Sequence, residues 1–177
     1  MAAIDQATVA VHIAAAVNGA TNAERGRAYE DLICYVFSQV PGISITRRNE
    51  MNVFETEEID VAVWNDGHTE GLFFLSNIIL IECKNWSNPV GSAEVNWFDT
   101  KLRNRGLDFG VLVATNGITG NANDLTAAHS IIAGALKERR KLVVIRGEEL
   151  IALTESSQLV KLIKEKLCDL AVRGSVV

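Results

Sequence analysis

The spacing of apolar residues changes several times along the chain between a helical period and short, strand-like runs. A period of 3.6 residues follows a capping box at Thr21 and Glu24 and ends at Pro41-Gly42, which predicts a helix between them. Continuous or alternating apolar runs bounded by turn residues predict strands. The other predicted helices cover 3–18, 92–105 (capped by Ser92) and 121–137, the predicted strands cover 43–48, 58–64, 77–84, 109–115 and 142–145, and two short amphipathic helices follow.

The order of these elements predicts an α/β fold. The run Ile78-Ile79-Leu80-Ile81 is apolar without interruption, as expected of a strand covered on both faces. A meander of three strands that passes into βαβ-like crossovers predicts a mixed central sheet flanked by helices. The chain of 177 residues has room for one core. We expect an Ala-rich helical extension over 1–20, a domain over 21–153, and a C-terminal helix over 154–177 that packs on the domain or at an oligomer interface.

Composition and charge narrow the functional classes. Twenty-two acidic against 17 basic residues give a net charge of −5, which argues against a protein that coats DNA through a basic surface. The three cysteines are far apart and show neither zinc-site spacing nor a disulfide framework. No apolar run approaches the roughly 20 residues of a membrane span. These features predict a cytoplasmic protein without a membrane partner.

Charged residues stand at the end of the most apolar strand. Glu82 and Lys84 are two residues apart, so their side chains share one face of the strand. If the strand at 58–64 pairs antiparallel with this one, Asp60 lies beside Glu82. Two adjacent carboxylates repel each other unless a cation lies between them. Hard oxygen ligands of this kind suit Mg²⁺ or Mn²⁺.

A third carboxylate is selected by helix geometry. With 100° per residue, Glu30 falls at the border of the apolar stripe of its helix, whereas Glu24 and Asp31 fall on the opposite side. Gly26 lies one turn earlier on the same edge, where we expect the missing side chain to let the helix approach the sheet. Glu30 is therefore the helix acid expected to face the site.

Less specific interpretations account for the same residues. Glu82 and Lys84 could form a salt bridge at the rim of the sheet, worth no more than about 1 kcal/mol. An acidic α/β binding module could also match this pattern by chance, in which case Asp60 and Glu82 are not adjacent in space.

The residues around these charges resemble a known family. Asp60 followed by Glu82-Cys83-Lys84 is similar to the D…(D/E)xK signature of the PD-(D/E)xK nuclease superfamily, and the context resembles its Mrr-type restriction endonuclease branch. The resemblance covers about residues 23–153. The segments that carry it are Gly26-x-x-Tyr29-Glu30, Glu58-Ile59-Asp60, Ile81-Glu82-Cys83-Lys84-Asn85-Trp86, Val111-Leu112-Val113-Ala114-Thr115-Asn116-Gly117, Leu142-Val143-Val144-Ile145 and Gly147-Glu148-Glu149-Leu150.

This resemblance implies a restriction-endonuclease-like αβββαβ core over 21–153 and Mg²⁺-dependent hydrolysis of DNA, with Mn²⁺ as a substitute. By position, Asp60 and Glu82 would hold the metal and Glu30 would be an accessory ligand. Lys84 would orient or deprotonate the attacking water and stabilise the phosphorane. Two positions depart from the usual pattern: Ile59 stands where many members have proline, and Glu82 stands where Mrr-type members often carry glutamine.

Candidate DNA contacts come from basic clusters and from residues near the signature. Arg47 and Arg48 form one cluster, and Lys101 belongs to another. Asn85 and Trp86 directly follow the signature, and Trp86 is the tryptophan placed to stack on a nucleotide. Phosphate contacts of this kind set affinity and salt dependence rather than sequence preference.

The sequence as a whole predicts a metal-dependent DNA endonuclease that acts in restriction, phage defence or DNA processing. A catalytic domain with little recognition apparatus is expected to form a homodimer or to use a partner protein for target recognition. The alternative is a nuclease-fold module that binds nucleic acid or assembles with a partner without catalysis.

Overall fold

A computed structural model describes residues 2–121 and 126–175 of the chain. Within these two ranges, five strands form one sheet in the order β1-β2-β3-β4-β5, so neighbours in sequence are neighbours in space. The strands are β1 (Ile43–Met51), β2 (Glu58–Asn65), β3 (Ile78–Lys84), β4 (Phe109–Ala114) and β5 (Lys141–Arg146). The helices are α1 (Gln6–Asn18), α2 (Asn22–Ser38), α3 (Ser92–Asn104), α4 (Ala128–Lys137), α5 (Gly147–Ile151) and α6 (Ser156–Arg173).

The pairing of the strands makes the sheet mixed. β1, β2 and β3 form an antiparallel meander, whereas β3, β4 and β5 run parallel. Parallel neighbours require crossover connections, which here contain α3 and α4. The α/β fold with a mixed central sheet flanked by helices, predicted from the sequence, is confirmed.

Helices cover both faces of the sheet. Gly110 on β4 faces α3 so closely that a Cβ atom there would lie 2.7 Å from Leu102 and 2.8 Å from Phe98. Leu80 and Glu82 share this face, because Leu80 pairs with Gly110 and side chains alternate along a strand. Cys83 therefore points to the opposite face, which α2 covers. The end of β3 thus lies between two helices.

The start of α2 follows the sequence closely. Thr21 Oγ1 accepts a hydrogen bond from the backbone N of Glu24, and the Glu24 carboxylate accepts from the backbone N of Thr21. This reciprocal box satisfies two amides at the helix start. One face of α2 is buried in the core, with Leu32, Ile33 and Phe37 fully inaccessible to solvent. The helix that carries Glu30 is therefore fixed at its start and along its length.

Some element boundaries differ from the prediction. Gly91, not Ser92, is the N-cap of α3, and it provides no side-chain hydrogen bond. α4 begins at Ala128 rather than at residue 121, although residues 122–125 of the predicted helix lie outside the described residues. The N-terminal segment is joined to the C-terminal part, since the backbone N of Ile4 donates to Thr154 O at 2.8 Å. No helix of residues 2–121 and 126–175 is long and apolar enough to cross a membrane.

Candidate active site

The candidate site lies where β2 and β3 separate. Val61 and Ile81 are the last paired residues of the two strands, and one position further along lie Asp60 on β2 and Glu82 on β3. Asp60 Oδ2 accepts a hydrogen bond from the backbone N of Cys83 at 2.7 Å. The antiparallel pairing expected from the sequence therefore places the two carboxylates side by side.

One ammonium group joins these carboxylates. Lys84 Nζ lies 2.8 Å from Glu82 Oε1 and 4.0 Å from Asp60 Oδ2. Glu82 is only 4% exposed, so this is not a solvated pair at the rim of the sheet. The arrangement also contradicts the alternative in which Asp60 and Glu82 lie apart in space.

A second ammonium group binds the other oxygen of Glu82. Lys101 extends from α3, and its Nζ lies 2.7 Å from Glu82 Oε2. Lys101 is buried, with 3% of its surface exposed. The prediction that Lys101 contacts DNA is therefore wrong, because its side chain points into the protein and away from any bound strand. A buried carboxylate needs such partners, since an unpaired charge in the interior is costly.

The charges shift the pKa values of two site residues. Burial, together with the nearby Glu82 carboxylate, raises the pKa of Asp60 to about 6. Burial acts to lower the pKa of Lys84, but the Glu82 and Asp60 carboxylates outweigh it and raise that pKa above its ordinary value. Lys84 is thus a cation in this site, and the lowered pKa that a general base would need is not what its surroundings produce.

Glu30 approaches the site from α2. It lines a cavity of about 480 Å³ together with Asp60 and Lys84. Glu30 Oε2 accepts a hydrogen bond from Asn49 Nδ2 at 3.0 Å and lies 3.6 Å from the guanidinium group of Arg48. Its carboxylate therefore faces the same cavity, where Asn49 and Arg48 hold it.

The donor set suits a hard divalent cation. Asp60 and Glu82 supply carboxylate oxygens, and Mg²⁺ needs only one or two carboxylates beside its waters. Within residues 2–121 and 126–175, no three His, Cys, Asp or Glu side chains are close enough to hold a metal ion together. Asp60 and Glu82 are the residues that would hold such an ion, although Lys84 and Lys101 already bind the two oxygens of Glu82, and Glu30 lines the cavity beside Asp60.

A second cavity adjoins the first at Lys84. It measures about 390 Å³, and it shares Gly26, Cys83 and Lys84 with the cavity of the carboxylates. Its remaining wall comes from the start of α2 and from the loop after β3. These lining residues are Asn22, Arg25, Asn85, Trp86, Ser87 and Asn88.

Gly26 does not bring α2 close to the sheet, as we expected from the sequence. A Cβ atom built on Gly26 meets nothing within 4 Å, so the space above this residue is open. Gly26 also lies inside a helix, where glycine costs about 1 kcal/mol of helix stability relative to alanine. Neither packing nor backbone conformation explains this glycine.

The other residues predicted to contact DNA differ from one another in exposure and in their bonding partners. Arg48 is bound to Asp31 at 2.7 Å, whereas Arg47 is exposed and lies 3.8 Å from Glu50. Asn85 is engaged inside the protein: its amide donates to the carbonyl oxygens of Ala16 and Arg25, and its Oδ1 accepts from Thr115. Trp86 is 43% exposed on the wall of the second cavity.

Two arginines that the sequence interpretation missed flank Gly26. Arg25 lines the second cavity and Arg27 lines the cavity of the carboxylates. Among the described residues, neither guanidinium group has a carboxylate within 4.0 Å, unlike Arg48. The available signal was their position on either side of a glycine in the first turns of the Glu30 helix.

Two carboxylates and a lysine at the fork of β2 and β3, on a mixed sheet between helices, define a nuclease of the PD-(D/E)xK class. A sequence model of the Mrr catalytic domain, described as a restriction endonuclease, matches residues 23–154. The chain belongs to this restriction endonuclease family. No curated protein matches the sequence.

Proposed function

We propose that this protein is a metal-dependent endonuclease that hydrolyses phosphodiester bonds of DNA in restriction, phage defence or DNA processing. The observation that carries the proposal is the position of Lys84 Nζ within 4.0 Å of carboxylate oxygens of both Asp60 and Glu82. Membership of the restriction endonuclease family supports DNA as the substrate.

In this proposal Asp60 and Glu82 hold Mg²⁺, and Glu30 is an accessory ligand, directly or through water. The ion lowers the pKa of bound water and neutralises charge on the phosphate. The pKa of Asp60, raised first by burial and then by the Glu82 carboxylate, supports a cation site, because a cation beside the two carboxylates would relieve their repulsion.

Lys84 acts as a fixed positive charge. The two carboxylates hold its ammonium group at the mouth of the cavity and favour its protonated form. From this position it donates hydrogen bonds to the attacking water or to a phosphate oxygen. A fixed cation stabilises the charge that develops on the phosphorane without having to reorganise during the reaction.

Lys101 positions Glu82. Its ammonium group binds Oε2 from the α3 side while Lys84 binds Oε1, so the carboxylate is held from two directions. A side chain held in this way keeps its orientation when substrate enters. Lys101 is buried, and its direct contact with the site is the one to Glu82.

The second candidate function is a nuclease-fold module that binds nucleic acid or assembles with a partner without catalysis. One observation favours it: each oxygen of Glu82 already has a lysine partner, so the cluster is satisfied in part as a structural ion pair. The open cavity beside Asp60 and Lys84 favours catalysis, because a purely structural cluster needs no such space.

A cleavage assay separates the two functions. Wild type and Lys84→Ala are incubated with Mg²⁺ or Mn²⁺ and with duplex, single-stranded, methylated and branched DNA, and with RNA. The matched control is Lys161→Ala, which removes a lysine that is 76% exposed on α6. We expect cleavage by wild type and the control, and a loss of at least about 10³-fold in Lys84→Ala. Equal cleavage by all three, or none on any substrate, contradicts the proposal.

A further inference from the structure

We propose that the cavity between α2 and the loop after β3 binds an unpaired nucleobase of the strand that is cut, with Trp86 as its stacking surface. The inference rests on the proposed nuclease function. It adds a substrate class, namely DNA that has an unpaired nucleotide next to the cleaved bond.

The position of this cavity links it to the cut. It has a volume of about 390 Å³ and shares Gly26, Cys83 and Lys84 with the cavity of the carboxylates. Lys84 thus borders both spaces. A strand with its phosphate at Lys84 therefore places a neighbouring nucleotide in the second cavity.

Trp86 is held in place as a platform. Its ring is 43% exposed, and Lys84 Nζ lies 5.8 Å from the ring centroid. Asn116 Nδ2 donates to the carbonyl oxygen of Trp86 at 2.6 Å, and the side chain of Asn85 ties the same loop to α1 and α2. A large apolar ring that is fixed and open to solvent suits a planar, apolar face of a ligand.

Gly26 keeps the path to this platform open. Its missing side chain serves neither packing nor a special backbone angle, since a Cβ atom there meets nothing within 4 Å and the residue is helical. Both cavities include Gly26 in their walls. The open space is explained if the sugar-phosphate backbone passes over this position, from Lys84 to Trp86.

The charges around Gly26 suit phosphate. Arg25 and Arg27 flank the open position, and within the described part of the chain no carboxylate neutralises either one. Arg103, Arg105 and Arg140, by contrast, are bound to carboxylates. Arg25 donates to Gly19 O and to Asn22 Oδ1 rather than to a carboxylate. Positive charge that no carboxylate neutralises therefore lies along the proposed path of the strand.

Stacking on Trp86 requires a base that has left the double helix. In a duplex both faces of each base are covered by neighbouring bases, so a protein ring reaches a face only when the nucleotide is unpaired or extruded. Such stacking tolerates any base, because every base has an aromatic face, and Trp86 supplies the aromatic ring among the lining residues.

The test uses binding without cleavage, in EDTA, so that it does not depend on catalysis. The ¹⁵N-labelled full chain is titrated with a short single-stranded oligonucleotide of thymidines and with an abasic oligonucleotide of equal length. We expect the indole resonance of Trp86 to shift with the first only, and the abasic oligonucleotide to bind at least about tenfold more weakly. Trp64 and Trp97, 42% and 45% exposed, are internal controls. Equal effects of both oligonucleotides, or equal shifts of all three tryptophans, overturn the proposal.

Variants connect the resonance to the cavity. Gly26→Leu fills the open space and is expected to abolish the Trp86 shift. The matched control is Gly134→Leu on α4, a helical glycine whose Cβ also meets nothing within 4 Å but which lines neither cavity. If Gly26→Leu does not fold, Trp86→Ala is expected to lose the tenfold preference and Trp86→Phe to retain most of it. A full shift in Gly26→Leu, or an unchanged preference in Trp86→Ala, overturns the inference.

Failure of this inference is distinguishable from failure of the nuclease proposal. One outcome contradicts the nucleobase site alone: cleavage depends on Lys84 but shows no preference for DNA with unpaired nucleotides over fully paired DNA, and the Trp86 resonance shows no base-dependent shift. A base-dependent shift without any cleavage keeps the binding cavity and removes catalysis.

Discussion

Two carboxylates are buried to the same degree in this protein, and each has two cationic partners. Glu82 at the end of β3 binds Lys84 and Lys101, and Asp99 on α3 binds Arg140 and Arg103. Their exposed fractions are 4% and 3%. The two clusters cost similar desolvation, so the difference between them lies in what surrounds the ion pairs.

The Asp99 cluster is satisfied within itself. Arg140 binds both oxygens of Asp99, from Nε at 2.7 Å and from the terminal nitrogen at 3.0 Å. The hydrogen bond to Asp99 raises the pKa of Arg140 although burial opposes it. A two-point contact between guanidinium and carboxylate fixes geometry as well as charge. It joins α3 to the start of β5 and leaves no charge for a ligand.

Each cluster contains a second carboxylate, but the two differ in burial: the side chain of Asp60 is 14% exposed, whereas that of Glu138, which binds Arg140 and Arg103, is 58% exposed. Asp60 lies near the same Lys84, and its pKa is raised to about 6 by burial and by Glu82. The partners are lysines, which act as point charges and exchange partners more easily than an arginine fork. Equal burial and equal numbers of cations on one carboxylate therefore give one structural ion pair and one site in which a second, largely buried carboxylate lies beside the first.

The largest effect is expected for Arg140→Met. Removing this partner leaves Asp99 buried with Arg103 alone, which we expect to lower the free energy of unfolding by about 3–5 kcal/mol. Cleavage per folded molecule is expected to stay as in wild type, because Asp99 is not part of the site. Urea unfolding and cleavage below the transition measure both quantities, with the exposed Lys137→Met as control. Loss of cleavage in the folded variant contradicts the assignment of Asp99 to structure.

Lys101→Met tests the corresponding ion pair at Glu82. Because Lys84 remains, we expect a smaller loss of about 2–3 kcal/mol in the free energy of unfolding. Removal of a positive charge also leaves the carboxylates more negative, so Mg²⁺ is expected to bind about tenfold more tightly. The maximum cleavage rate is expected to fall, because Glu82 loses its orientation.

The Mg²⁺ affinity and the maximum cleavage rate of Lys101→Met distinguish a positioning role of Lys101 from a purely structural one. If Lys101 serves stability alone, Lys101→Met changes neither the Mg²⁺ concentration for half-maximal cleavage nor the maximum rate of the folded enzyme. Lys101→Arg restores a cation of different shape, and partial recovery of the rate is expected from it.

Asp60→Asn is expected to stabilise the metal-free protein. A carboxyl with a raised native pKa binds its proton more tightly in the folded state, so stability falls as pH rises from about 4 to about 6. Asparagine has no such penalty and still accepts the hydrogen bond from Cys83. We expect a gain of up to about 3 kcal/mol at pH 7 that is almost gone at pH 4.

Unfolding by urea at several pH values in EDTA measures this gain, and cleavage is expected to be lost. Glu148→Gln is the control, since it changes a carboxylate that is 71% exposed and lines neither cavity. If Asp60→Asn is less stable than wild type at pH 7, the Asp60 carboxylate stabilises the metal-free fold, which contradicts the destabilising role assigned to it here.

The sequence predicted the positions of Asp60, Glu82 and Lys84 because they follow from local rules. Alternation along β3 places Glu82 and Lys84 on one face, and antiparallel pairing brings Asp60 beside them. Lys101 was misplaced because a lysine on an amphipathic helix has no local signal for burial. Only the packing of α3 over β3 directs it to Glu82, 19 residues away in the chain.

The surroundings of the basic residues and of Gly26 also depend on tertiary contacts that the sequence does not reveal. Arg48 and Lys101 stand out in the sequence as basic residues, yet tertiary contacts pair both with carboxylates. Arg25 and Arg27 lie outside the basic clusters of the sequence, and among the described residues neither has a carboxylate within 4.0 Å, although Arg25 donates to Gly19 O and Asn22 Oδ1. The reason for Gly26 also depends on tertiary structure, since only the built fold shows that the space above it is open.

The smallest effect expected is the stabilisation by Mg²⁺ itself. A ligand that binds only the folded state at ten times its dissociation constant adds about 1.4 kcal/mol. We expect this gain in wild type and in Arg140→Met, and its absence in Asp60→Asn, measured by thermal unfolding with Mg²⁺ against EDTA. The paired variants compare the two buried clusters directly, because each changes one of them. If Mg²⁺ stabilises Asp60→Asn as much as wild type, the ion binds elsewhere, and the pair of carboxylates beside Lys84 has another purpose than holding it.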